Sequence, residues 1–238
     1  MTDSSVRPPI HADDQWYPAG MAALRDEVSG YIERAPALDL PGKVIGLIAP
    51  HAGYFFSGHV AGAGYRQVQG GDYDTVVLLG PDHTGAAFGS LAYADFDTWR
   101  TPLGDVPVDR DLIAVLDQRL RLRRVGRDSE HSLEVQLPFL QTALTGFKLV
   151  PIMMGDQSSA TCRELGAAIA DGVRDRQTLL VASTDLSHYQ PEAAARRLDQ
   201  HTLQYVLDFD PEGLVEALAR GEASACGGGP VAAVMFAA

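Results

Sequence analysis

Four apolar runs of strand length constrain the fold of this chain more than any other feature. They are Lys43–Ala49 (KVIGLIA), Thr75–Leu79 (TVVLL), Phe147–Met154 (FKLVPIMM) and Thr178–Ser183 (TLLVAS). A strand that is apolar on successive residues has both faces covered, as in a parallel sheet between layers of helix. The intervening segments carry helical spacing. Leu24, Val28, Tyr31 and Ile32 recur at three- to four-residue intervals before Pro36 and the Pro41-Gly42 pair. Further helices are expected from Asp109 to Leu120, Ser132 to Leu144, Ser158 to Val173, Ala193 to Leu207, Pro211 to Ala219 and from Pro230 onward. Asp109 suits a helix N-terminus, and Pro138 bends its helix or delays its start. The alternation predicts an α/β fold, with a three-layer, mostly parallel or mixed central sheet and helices on both faces.

Finer expectations follow from particular residues. Residues 1–14 are polar and proline-bearing and read as an extended arm. Gly53 to Gly64 reads as a glycine-rich segment leading into a helix that ends near Val68. Ser90 to Tyr93 is a weaker strand, followed by a loop containing Trp99, Pro102 and Gly104. Pro151 argues for a bulge or strand end. No repeat or Ser/Pro-rich linker divides residues 1–238, so one domain is expected.

Charge and motif content narrow the function. The net charge of −12 lacks the basic footprint that nucleic-acid binding needs. Two cysteines, Cys162 and Cys226, make no disulfide framework and suit a reducing cytosol. Met1 to Pro9 has no apolar signal-peptide core, and no apolar run approaches the ~18 residues of a membrane span. A cytoplasmic protein without membrane attachment is expected. G-x-G-x-x-G after a strand, the Walker A lysine motif and G-x-S-x-G are all missing, which removes support for nucleotide binding and serine hydrolysis.

The histidines carry the strongest chemical signal. His51 follows the first apolar run (APHAGY) and His83 the second (GPDH), while Asp185 and His188 follow the fourth (STDLSHY). The carboxyl ends of strands in open α/β sheets form the ligand crevice. Neutral imidazoles from separate strands suit zinc, copper or iron rather than magnesium or calcium. A third ligand is expected from Asp185, His188 or Cys226. Cys226 opens the glycine-rich start of the last helix, a position that stabilises a thiolate. Cys162, inside a helical pattern, reads as a small buried thiol. His131, beside Glu130 ahead of a helix, suits either an acid/base group facing a pocket or a helix-start residue that caps backbone groups. His11, His59 and His201 lack strand-end placement and read as arm or helix residues.

These segments together resemble the Memo family, known in bacteria and archaea as AmmeMemoRadiSam system protein B. The matching words are WYP at 16–18, APHAGY at 49–54, Ser57-Gly58, LGPDH at 79–83, EHSLEVQLPF at 130–139, STDLSHY at 183–189 and Cys226-Gly227. The resemblance spans nearly the whole chain. It implies a fold like that of the class III extradiol dioxygenases, which hold non-haem iron(II) with two histidines and a carboxylate. It maps His51, His83 and Cys226 onto the metal ligands, the thiolate standing where those enzymes have a carboxylate. That softer donor tilts the expected cofactor toward copper or thiolate-ligated iron(II), with zinc as a further candidate. His131, Asp185 and His188 are implied as pocket residues with acid/base and oxygen-binding roles, Asp185 being the carboxylate expected to orient a ligating imidazole. Family members continue past the last helix with another strand, so a short C-terminus or an uncovered sheet edge is expected here.

Two functions fit this reading. One is a metal-dependent oxidoreductase, dioxygenase-like, acting on a small phenolic or catecholic molecule. The other is a binding module that takes phosphotyrosine-like peptides in the same pocket. The family name implies a pathway link to a radical-SAM protein and an AMMECR-domain protein.

Overall fold

The computed structural model describes residues 5–238. A six-stranded sheet forms from β2 (Gly46–Ala49), β3 (Thr75–Pro81), β4 (Leu91–Ala94), β7 (Arg123–Val125), β8 (Lys148–Met154) and β9 (Thr178–Ser183), in the order β2-β9-β3-β8-β4-β7. All neighbouring pairs are parallel except β4 against β8. The central strand β3 is buried along its whole length, as expected of a run with no polar face.

Helices cover both faces. α1 (Met21–Arg34), α2 (Tyr54–Arg66) and α4 (Leu137–Ala143) pack on one another, with α2 against β2. α5 (Ser159–Gly172) and α8 (Gly228–Ala237) pack together on the other side, α8 reaching β9, β3 and β2. α3 (Arg110–Leu120), α6 (Glu192–Leu207) and α7 (Pro211–Ala219) complete that layer. Leu24, Val28 and Ile32 form the buried stripe of α1, as their spacing predicts. Asp109 and Ser158 cap α3 and α5 through their side chains. Pro138 does delay its helix: a 3-10 turn at Glu134–Gln136 precedes α4. No helix among the described residues is long and apolar enough to cross a membrane.

Four expectations need correction. The Gly53–Gly64 segment is not a lead-in to a helix but lies largely inside α2. Its glycines serve packing, because a Cβ on Gly58 would stand 2.5 Å from the Tyr31 ring and one on Gly62 2.6 Å from the Tyr31 backbone. The Trp99 loop is a hairpin of β5 (Thr98–Thr101) and β6 (Gly104–Pro107). The part of the arm at β1 (Val6–Arg7) is a strand parallel to β5, and residues 1–4 of the arm lie outside the described residues. Pro151 sits inside β8, paired with Leu78. The Leu149 carbonyl accepts from Asp109 N–H on the side away from β3, and β4 joins only at Met153. By alternation the missing N–H at 151 faces that unpaired stretch, so no ladder bond is lost. At the β2 edge of the sheet, Ile48 and the preceding Ile45 are exposed beside an apolar cavity of about 320 Å³.

Candidate metal centre

Three adjacent parallel strands deliver the site. His51 lies two residues past β2, His83 two past β3 and Asp185 two past β9. Cys226 approaches from the start of α8. Its backbone N–H donates to the Asp185 carbonyl at 3.1 Å, while Asp185 N–H donates to the Cys226 sulfur at 3.2 Å. This reciprocal pair pins the thiol to the end of β9. Gly227 N–H donates to Thr184 Oγ1 at 2.8 Å, and a Cβ on Gly227 would stand 2.2 Å from the Ser183 carbonyl oxygen. Gly227→Ala is therefore expected to lower stability by about 1–3 kcal/mol, the cost of overpacking, and to push Cys226 out of register. Thermal unfolding together with metal content checks this, and an unchanged midpoint contradicts it.

The ligand atoms of His51, His83 and Cys226 all lie within 4.8 Å of one another. Cys226 Sγ and His51 Nε2 are 3.2 Å apart. Bond lengths near 2.3 and 2.0 Å at a tetrahedral metal span about 3.5 Å between sulfur and nitrogen, so the donors stand close to ligating separation.

Second contacts set the tautomers. Ser183 Oγ donates its one proton to the Ser132 carbonyl at 2.6 Å and accepts from Gln136 Nε2 at 2.8 Å. Its contact with His51 Nδ1 at 2.9 Å must then be accepted from Nδ1–H. That leaves the Nε2 lone pair facing Cys226. His83 Nδ1 pairs with Glu130 Oε1 at 3.0 Å, and the same carboxylate accepts from the backbone N–H of His83 at 2.6 Å and of Ser132 at 2.9 Å. Glu130 is fully buried. Burial raises its pKa, but His83 and the two backbone donors outweigh that and hold it at about 2.

The same neighbours make the thiol acidic. Burial opposes the Cys226 thiolate, yet its contacts with His51 and His83 and the Asp185 N–H bring it down to about 6. The Cys226 sulfur and then Glu130 push His83 up to about 10. The cluster thus holds a proton that a metal would displace. Cys162 is buried elsewhere, its thiol pushed up to about 12 by burial.

His131, Asp185 and His188 line the open cavity above, of about 310 Å³, together with Trp16. The His131 ring stacks on His83 at 4.6 Å and packs against Trp16 at 4.1 Å. Burial, and then the neighbouring histidines, lower it to about 4, although Glu130 opposes this. Asp185 does not orient an imidazole as expected. Its Oδ1 accepts from His51 backbone N–H at 2.8 Å, and Oδ2 stands 3.9 Å from both His51 Nε2 and His188 Nε2. Ser183 and Glu130 take the expected role instead. His11, read as arm, joins the rim 5.4 Å from Trp16 and 5.9 Å from His131. His59 and His201 lie exposed on helices, as read.

A three-layer α/β protein that brings two imidazoles and a thiol together at the carboxyl edge of its sheet belongs to the class with a candidate metal site. A family profile described as "Memo-like protein" matches residues 7–238. The "MEMO1 family protein" of Methanosarcina mazei is 37% identical over 94% of this chain and 83% of its own length. Those of Methanopyrus kandleri and Pyrobaculum aerophilum are also 37% identical, covering 94% and 98% of this chain and 83% and 86% of their own lengths. The chain belongs to the Memo family.

Proposed function

We propose that the protein binds one redox-active transition metal, iron(II) or copper, through His51 Nε2, His83 Nε2 and Cys226 Sγ, and oxidises a small phenolic or catecholic molecule. The observation that carries this is the convergence of three donors whose protonation is set from behind, by Ser183 at His51 and by Glu130 at His83. Thiolate and imidazole together suit copper and iron, and zinc would fill the same site without redox chemistry. When bound, the metal supplies Lewis acidity and electron transfer. The chain's own groups do the rest. The neutral His131 ring accepts a hydrogen bond from the phenolic hydroxyl, Trp16 and His131 pack on the aromatic ring, and Asp185 with His188 form the polar wall. In the dioxygenase form of the reaction, dioxygen is the oxidant. A ring C–C bond breaks, both oxygen atoms enter the product, and no external reductant is consumed.

The test starts with elemental analysis of protein purified without added metal, wild type against His51→Ala. Anaerobic loading with iron(II) or copper follows, then catechol and a dioxygen electrode. About one metal per chain, lost in His51→Ala, with catechol-dependent oxygen uptake, is expected. Metal binding without uptake sinks the redox reading. Metal-independent binding of phenyl phosphate, unaffected by His51→Ala, would favour a peptide-binding module instead.

A further inference from the structure

One buried carboxylate holds the N-terminal segment. Glu134 is fully buried. Its Oε1 accepts from the backbone N–H of Ile10 at 2.9 Å and of His11 at 2.7 Å, and from the Tyr17 hydroxyl at 2.7 Å. Its Oε2 accepts from Arg7 Nη1 at 2.5 Å. Arg7 is 1% exposed and donates to Asp128 through Nε at 3.0 Å and Nη2 at 2.7 Å, and to the Glu130 carbonyl at 3.1 Å. Its guanidinium lies 4.1 Å over the Trp99 ring. Removing any partner from such a buried set leaves charges or donors unpaired, so the set fixes one docking geometry.

None of these contacts involves His51, His83 or Cys226. What they fix is the pocket wall. The N-terminal segment runs on from the arm to Trp16, immediately before the anchored Tyr17, and the Trp16 carbonyl accepts from Tyr54 N–H at 2.8 Å, across the start of α2. A Cβ on Gly53 would stand 2.8 Å from the Gln15 carbonyl oxygen, so the arm crosses at backbone contact. On the other side, the loop from Asp128 to Glu134 carries Glu130 and His131. Arg7 and Glu134 clamp arm and loop together where Trp16 meets His131.

We infer that the Arg7–Glu134 pair is a positioning device for the ligand pocket, docking the N-terminal segment so that Trp16 and His131 form one aromatic wall beside the metal-ligating residues. The identity of the ring that meets this wall rests on the phenolic reading above, but the placement of Trp16 does not.

Glu134→Gln tests it in a Trp99→Phe background, which leaves Trp16 as the sole tryptophan. Phe keeps a ring under Arg7 and removes an indole N–H that has no partner among the described residues. The amide keeps the carboxylate's size but turns one acceptor into a donor, facing either Arg7 or the arm's N–H groups. Acrylamide quenching of Trp16 emission is expected to rise about threefold, and the Kd for 4-nitrocatechol about tenfold, the equivalent of roughly 1.4 kcal/mol. Metal content per chain is expected to stay unchanged, a split that general destabilisation would not give. Unchanged quenching in folded Glu134→Gln overturns the inference, whatever happens to metal or catechol. Should that variant not fold, Arg7→Lys keeps the positive charge but loses the guanidinium fork that spans Glu134 and Asp128, and it must raise quenching in the same direction. No change there overturns it equally. If wild type takes up metal but no 4-nitrocatechol, the phenolic reading fails while Trp16 quenching still decides the positioning role.

Discussion

Cys226→Ala is expected to abolish stable metal binding, whereas Cys162→Ala leaves it intact. Loss of an outer contact to a ligating histidine already costs about 10–100-fold in metal affinity, so loss of a ligand should exceed 100-fold. The two thiols differ in environment rather than in chemistry. Cys226 faces His51 Nε2 at 3.2 Å and accepts from the Asp185 N–H, which brings its pKa to about 6. Cys162 is buried in α5, and its thiol donates to the Gln157 carbonyl at 3.6 Å. Without the thiolate, two neutral imidazoles remain, too few for a stable mononuclear site. Metal per chain in the two variants, with circular dichroism to confirm folding, decides the matter. Equal occupancy would remove Cys226 from the ligands and leave Asp185, whose Oδ2 is 3.9 Å from His51 Nε2, as the third donor.

What the sequence discloses about this site depends on whether a signal is local. β3 and β9 are legible because unbroken apolar runs need cover on both faces, and His51 and His83 are legible because they follow such runs. Cys226 is legible from its glycine-rich helix start. The β5–β6 hairpin is not, since its pairing of Thr98 with Pro107 and Thr101 with Gly104 leaves no alternating apolar pattern. Glycines inside α2 mislead because their reason is Tyr31, more than twenty residues away in sequence. The polar residues that orient the imidazoles are hidden for the same cause. Ser183 is matched to His51, and Glu130 to His83, only by strand ends that meet in space. Asp185 is the nearest carboxylate by motif, yet the backbone turns it toward His51 N–H. Arg7 and Glu134 stand far apart in sequence, and neither follows a helical or strand period that would mark it as buried.

Glu130→Gln is expected to weaken metal affinity about 10–100-fold and to lower stability by about 3–5 kcal/mol. Every contact on this carboxylate comes from a donor. Oε1 faces His83 Nδ1 and Ser132 N–H, and Oε2 faces His83 N–H. An amide has one acceptor oxygen, so whichever way it is flipped a donor meets a donor. With the NH2 on the Oε2 side, the backbone of His83 loses its partner at the end of β3. With the NH2 on the Oε1 side, Ser132 N–H loses its acceptor and His83 Nδ1 can accept only by moving its own proton to Nε2. A proton on Nε2 occupies the lone pair that would ligate. Either outcome reaches the metal chiefly through His83, because Glu130 touches the support of His51 only through the Ser132 backbone N–H, while Ser183 and Gln136 hold His51 from behind. The measurement is a competitive metal titration alongside chemical denaturation, with Glu134→Gln as the comparison. Glu134 is an equally buried carboxylate, but its partners lie in the arm and not at His83. Equal metal affinity in Glu130→Gln and wild type would show that His83 needs no carboxylate behind it, and the reading of its tautomer would fall.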